Sequence, residues 1–176
     1  VQQAFEAEVD ASSYMLRAAE TSVGKAYKTL ALQHLALTPG DTVVDLGCGP
    51  GADLRRYAEA VGPTGQVIGI DYDNSAVTDA RMRTTDLSQV QVLTADIKAL
   101  DLASGSVDAV HADRVLQHVL DPAGAVTEAA RILKPGGRAV LAEPDWRTLV
   151  IDHAEPHLSE AFTHYVVDYQ VRNPWI

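Results

Sequence analysis

Two β-branched residues run into an acid and then into glycines at alternate positions in Val43-Val44-Asp45-Leu46-Gly47-Cys48-Gly49-Pro50-Gly51, and this stretch constrains the fold more than any other. A strand breaks there into a turn. Its glycines open backbone conformations closed to other residues and let a ligand approach the main chain closely. The helix that follows offers free N–H groups and the positive end of its dipole.

Beyond that turn, apolar runs alternate with amphipathic stretches. Residues 42–46, 66–71, 90–94, 107–112 and 138–143 are rich in Val, Ile and Leu and nearly continuous in apolar character, as in parallel strands covered on both faces. Between them, residues 52–61, 75–85 and 122–133 carry helical spacing, and Gly62-Pro63-Thr64-Gly65 ends the first of these. From Phe5 to about Leu37 the spacing gives two helices broken near Thr21-Ser22, and a last helix is expected over 155–171. The reading is an α/β fold, a doubly wound and mostly parallel sheet with right-handed crossovers. A helical segment over 1–37 precedes an α/β domain over 38–176.

In such a sheet ligands sit outside the carboxyl ends of the strands. Those ends carry Asp45 with the glycines, Asp71-Tyr72-Asp73, Asp96, the stretch from His111 to His118, and Glu143-Pro144-Asp145-Trp146. Asp71 lies about twenty residues past the glycine turn, where an acid accepts hydrogen bonds from ribose hydroxyls. The alternative, an N-cap, is already offered by Asp73, Asn74 and Ser75. Tyr72 suits either an adenine face or shielding of the strand end. Asp96 is placed to accept from an exocyclic amine while Ile97 packs on a flat ring, or to serve as a surface turn residue.

The formal charge of −10, with no Lys/Arg run to offset it, disfavours nucleic acid and favours a small-molecule substrate. Cys48 is the only cysteine and has no disulfide partner. No signal-peptide-like start or membrane-spanning run is present, so a soluble cytoplasmic protein without membrane contact is expected. His153, His157 and His164 lack the spacing and acidic company of a metal site, and no metal is expected.

Gly47, Gly49 and Ala52 also satisfy a bare Gly-x-Gly-x-x-Gly/Ala pattern, which keeps a nicotinamide cofactor in play. The whole set resembles something more specific: Asp45 two positions before the first glycine, Gly51, Asp71, Asp96, and Leu133-Lys134-Pro135-Gly136-Gly137 before strand five. From about residue 35 to 146 it resembles the class I S-adenosylmethionine-dependent methyltransferases, in particular the small-molecule group related to the ubiquinone and menaquinone methyltransferases. The resemblance implies a Rossmann-like methyltransferase fold and S-adenosylmethionine as cofactor, with S-adenosylhomocysteine as product. It implies transfer of a methyl group to an oxygen, nitrogen or carbon atom of a small molecule by in-line displacement.

By the same resemblance, Asp45, Gly47, Cys48 and Gly49 lie along the methionine part of the cofactor, Asp71 holds the ribose, and Asp96 and Ile97 bound the adenine. Asp113-Arg114-Val115-Leu116-Gln117-His118 lies beside the sulfonium and the acceptor. The leading helices, with Tyr14, Met15 and Arg17, fold over the cofactor as a lid. Arg17 meets the cofactor carboxylate or is a plain surface charge. Catalysis then rests on alignment and exclusion of water, and a base is needed only where the acceptor loses a proton. His118 is the candidate, with capping or packing near Pro122 as its alternative; His111, inside an apolar strand, reads as structural. Glu143, Asp145 and Trp146 either hold the acceptor or form a solvated loop with an aromatic plug.

The family fold has seven strands, the last two an antiparallel hairpin beside strand five, and this sequence stops short of them. A fragment of a longer enzyme is expected, or completion by a partner chain, with strand five as an unpaired edge prone to self-association. Two further classes compete. A nicotinamide-dependent oxidoreductase has no Tyr-x-x-x-Lys pair here to support it. A non-catalytic cofactor-binding partner domain would bind without transferring.

Overall fold

In the computed structural model, residues 11–149 and 155–173 are described; residues 5–10 of the leading helical segment, and His153, lie outside them. Strands β1 (Thr42–Leu46), β2 (Gln66–Asp71), β3 (Val90–Thr94), β4 (Val107–Asp113) and β5 (Leu133–Ala142) form one parallel sheet in the order β3-β2-β1-β4-β5. The order reverses between β1 and β4, and a crevice opens at the carboxyl ends there. The helices are α1 (Ala11–Glu20), α2 (Ser22–Leu35), α3 (Leu54–Val61), α4 (Asn74–Arg83), α5 (Pro122–Ile132) and α6 (Pro156–Tyr165).

Strand side chains alternate between two apolar layers, as period-two geometry requires. Val44, Leu46, Ile68, Ile70, Val110 and Ala112 pack with Ala125, Ala129 and Ile132 of α5. Val43, Val67, Val92 and Ala109 face the other way, onto Leu35 of α2, Leu54, Tyr57, Ala58 and Val61 of α3, and Val77 and Ala80 of α4. Asp45 and His111 belong to this second face by alternation and sit opposite each other in the β1–β4 register. The sequence reading of an α/β, doubly wound, parallel sheet matches this architecture.

Several boundaries differ for physical reasons. α3 begins at Leu54 rather than Ala52, because Gly51 is still in the left-handed region at φ +79° and the Asp53 carboxylate is engaged elsewhere than on the helix end. α4 begins at Asn74, capped by Asp73, whose carboxylate accepts from Ser75 N. β5 begins at Leu133, earlier than expected. Leu133 already pairs with Val107, Arg138 pairs with Ala109, and the Lys134-Pro135-Gly136-Gly137 turn is accommodated as an irregularity inside the strand. Lys134 secures that bulge by donating to both oxygens of Asp108 at 2.7 and 2.8 Å. The last helix ends at Tyr165 and continues as a π turn, Val166–Gln170.

Candidate active site

The glycine turn takes the shape its residues permit. Gly47, Gly49 and Gly51 lie at φ +68°, +51° and +79°. A Cβ on Gly47 would stand 2.4 Å from Val115 Cγ2, so the turn packs directly on the segment after β4. A Cβ on Gly49 would stand 3.4 Å from Met15 Sδ, which places α1 over the turn. Cys48 N donates to Ile70 O at 2.9 Å, tying the turn to β2, while its thiol packs back over Gly69. Only the Cys48 main chain is therefore offered to a ligand, and burial pushes the thiol pKa far up, out of the nucleophilic range.

Asp71 closes β2 with one oxygen accepting from Gly49 N at 2.8 Å and the other from Asp73 N at 3.0 Å. It is not the cap of α4; Asp73 is. An ionised carboxylate has about four acceptor positions, so Asp71 keeps capacity for two hydroxyl donors beside the turn. Tyr72 next to it is 84% exposed, a free aromatic face at the crevice. Asp96 is exposed, accepts from Lys98 N and pairs loosely with Lys98 Nζ at 3.6 Å. Ile97 differs from expectation: it is buried among Leu46, Ile70 and Leu116, leaving little of its side chain for a ligand ring.

Asp45 is buried and accepts from His111 Nδ1 at 3.0 Å, and Tyr57 Oη lies 2.8 Å from the same nitrogen. Burial raises the Asp45 pKa against the opposing His111 bond. For His111 burial pulls the pKa down, but the Asp45 carboxylate outweighs it and the net shift is upward. The pair thus holds its proton tightly beneath the turn, and Asp45 supports the loop from inside rather than lining the crevice.

A buried ion cluster joins the leading helices to the crevice. Lys28 of α2, 4% exposed, pairs with Asp53 just after the glycine turn and donates to Asp113 at the end of β4 at 2.9 Å. Tyr27 Oη donates to the same Asp113 oxygen at 2.8 Å. Burial would lower the Lys28 pKa, but the two carboxylates drive it well above that of a free lysine; Asp113 is lowered because Lys28 outweighs its own burial. Lys28 was not anticipated, although the sequence carried a signal. Gly24, Lys28, Ala31 and Leu35 are the buried stripe of α2 at helical spacing, and a lysine inside such a stripe demands a buried partner.

The segment after β4 is held at every step. Arg114 N donates to Ala142 O at 2.8 Å, and the Glu143 carboxylate accepts from Val115 N, Leu116 N and Gln117 N. The Trp146 indole donates to the Gln117 side chain, Arg172 N and Asn173 N donate to Gln117 O, and Asn173 Nδ2 donates to Leu116 O and Val119 O. Asp145 caps the short 3-10 turn Trp146–Thr148. Of the residues read from sequence either as holding the acceptor or as a loop with an aromatic plug, Glu143 and Asp145 satisfy backbone donors, and Trp146 donates to the Gln117 side chain. His118 ends the 3-10 turn Leu116–His118 with an exposed side chain, and its pKa is lowered by partial burial and by Arg172. Arg17 is exposed. Among the described residues no group of three or more His, Cys, Asp or Glu side chains is placed to hold a metal, and no helix is long and apolar enough to cross a membrane.

Fold and crevice together define a doubly wound sheet with a glycine turn and a carboxylate at its switch point, the architecture of a nucleotide-cofactor enzyme. A family model described as a methyltransferase domain matches residues 37–171. A protein of 37.1 kDa in transposon TN4556 of Streptomyces fradiae is 49% identical over 93% of this chain and 48% of its own length. The 2-phytyl-1,4-naphtoquinone methyltransferase of Thermosynechococcus vestitus is 33% identical over 66% of this chain and 52% of its own. A geranyl diphosphate methyltransferase, solved with GPP and sinefungin, superposes with a TM-score of 0.62 at 26% identity, over 67% of this chain and 44% of its own. The chain belongs to the class I S-adenosylmethionine-dependent methyltransferases, on the branch related to the quinone methyltransferases, and spans about half the length of the curated relatives it matches.

Proposed function

We propose that the crevice binds S-adenosylmethionine and directs its methyl group onto a small-molecule acceptor. The observation that carries this reading is Asp71, which anchors Gly49 of the turn while keeping capacity for a ribose diol. The left-handed glycines bring main-chain N–H groups close to where the methionine part would lie. Tyr72 and Asp96 are the proposed adenine contacts, Tyr72 by its exposed ring and Asp96 by its exposed carboxylate. Asp113 borders the reacting end, held in place by Lys28 and Tyr27.

When bound, the cofactor supplies a methyl carbon on a positively charged sulfur, already activated for displacement. The acceptor lone pair forms the new bond as the carbon–sulfur bond breaks, and the bonding pair stays on sulfur. The chain's part is alignment and exclusion of water, for which residues 11–35 serve as the lid, with Met15 over Gly49 and Lys28 on Asp53 and Asp113. His118, kept neutral by its lowered pKa, is the proposed base for acceptors that shed a proton.

Hydrogen exchange with and without S-adenosylhomocysteine tests the placement. Protection is expected at the amides of the glycine turn, of Tyr72 and Asp73, and around Asp96. Protection confined to the opposite end of the sheet would overturn it.

A further inference from the structure

We propose that Arg114 is the specificity residue of the acceptor pocket and selects acceptors that carry an anionic oxygen group, a carboxylate or a phosphate, beside a flat apolar body. The role rests on the methyl-transfer reading for what the pocket receives. A cavity of about 280 Å³ opens between α2 and the carboxyl ends of β4 and β5, lined by Tyr27, Asp113, Arg114, Ala142, Glu143 and Pro144. The wider depression at the amino ends of β1, β2 and β3, bordered by Thr42, Gln66, Ser88 and Gln91, has no ionisable side chain in its lining.

Hydrogen-bonding capacity in the cavity is nearly all consumed by the protein. The Glu143 carboxylate accepts from three backbone N–H groups. Asp113 accepts from Lys28, Tyr27 and Arg114 Nε, the last at 3.3 Å. The Tyr27 hydroxyl already donates to Asp113. The exception is Arg114, whose one side-chain bond among the described residues goes through Nε, leaving the Nη1 and Nη2 fork to an incoming acceptor. A planar guanidinium fork matches carboxylate and phosphate oxygens, and an acceptor with both an anion and a ring would set the ring against Tyr27 and Pro144.

Of the charges around the cavity, Lys28 and Arg114 offset Asp53 and Asp113, while the Glu143 carboxylate of the lining is met by three backbone N–H groups, so the guanidinium fork is the place where an anion can dock. The backbone supplies an independent observation. Arg114 lies at φ +58°, a conformation rarely adopted by residues with long side chains. It is over-determined on both sides, by Arg114 N on Ala142 O and by the Glu143 clamp on the next three residues. Strain of this kind gathers at ligand clamps, and it fixes the Cα–Cβ direction from which the side chain starts.

The test is an NMR titration of the chain, with and without S-adenosylhomocysteine, using benzoate and phenyl phosphate against benzyl alcohol as the neutral twin. The wild type is expected to bind at least one anion about tenfold more tightly than the alcohol. Arg114→Gly, for which φ +58° is unstrained, and Arg114→Gln are both expected to lose that preference. The glycine variant should keep a thermal midpoint at least as high as the wild type. A preference for benzoate alone or for phenyl phosphate alone identifies the anion. Equal binding of anions and alcohol by the wild type, or a preference surviving in both variants, overturns the role. Failure of S-adenosylhomocysteine to bind would sink the methyl-transfer reading, while the titration without it still decides the role of Arg114.

Discussion

Lys28 donates to Asp113 Oδ2 at 2.9 Å across 85 positions of sequence, and the same ammonium pairs with Asp53 behind the glycine turn. One buried charge therefore joins the leading helices, the cofactor turn and the end of β4. Lys28→Met leaves two carboxylates in a low-dielectric site without their cation. The expected loss is about 3 kcal/mol or more by urea denaturation. Lys28→Met combined with Asp53→Asn and Asp113→Asn should recover most of it; equal instability of the single and triple variants would count against the cluster.

The same junction fixes a pH response. The Asp113 pKa is lowered in the folded state because Lys28 outweighs burial, so its contribution is full above the free carboxylate value of about 3.9 and fades as pH falls through the depressed value. The Lys28 pKa is raised, so its contribution is full below about 10.4 and fades as pH rises through the folded value. Corrected for intrinsic exchange rates, protection of α2 should fall at both extremes, and in Lys28→Met, whose two carboxylates lack their cation, protection should no longer fall as the pH is lowered from neutral.

Much of the architecture was readable because it depends on local pattern. Val43-Val44, Val67-Ile68 and Ala109-Val110 each feed both sheet faces, and the turn glycines mark the break that a cofactor loop needs. Asp71 stood where its spacing from the turn put it. The Lys28 cluster was missed because its partners lie 25 and 85 positions away, and only the packed helix brings them together. The bonds of Glu143 and Trp146 were out of reach for a related reason. The partners they meet in the segment after β4 are brought to them by the sharp turn at Arg114, and no local motif announces that turn.

Two glycines separate steric need from conformational need. Gly47→Ala combines φ +68° with a Cβ 2.4 Å from Val115, and is expected to unfold the turn and abolish S-adenosylhomocysteine binding. Gly136→Ala meets nothing within 4 Å, so only its φ of +82° resists the change. Its cost in chemical denaturation should be about 1–2 kcal/mol, with ligand binding intact. Similar losses for the two would argue against the packing of the turn on Val115.

Glu143→Ala orphans three backbone N–H groups at the start of the segment after β4, at an expected cost of about 1–3 kcal/mol. Glu143→Gln keeps one acceptor oxygen and should fall between the alanine variant and the wild type. Thermal denaturation of the three proteins orders them, and an alanine variant as stable as the wild type would remove the clamp from the account.

Asp45 and His111 both have raised pKa values, so their contribution is present at low pH and fades as pH climbs through the folded-state values. Stability by urea denaturation should decline as pH rises above the free values, about 3.9 for the carboxyl and about 6.5 for the imidazole, and through the raised folded-state values. His111→Asn should flatten that decline, and an unchanged slope would show that the pair does not set it.

The most direct measurement is a calorimetric titration of this chain with S-adenosylhomocysteine, with NADH as the competing ligand and Asp71→Ala as the control. The account requires binding on the order of micromolar, weakened in the Asp71→Ala variant, and no comparable affinity for NADH. A chain shown to be folded by circular dichroism that ignores S-adenosylhomocysteine, or that prefers NADH, would contradict it.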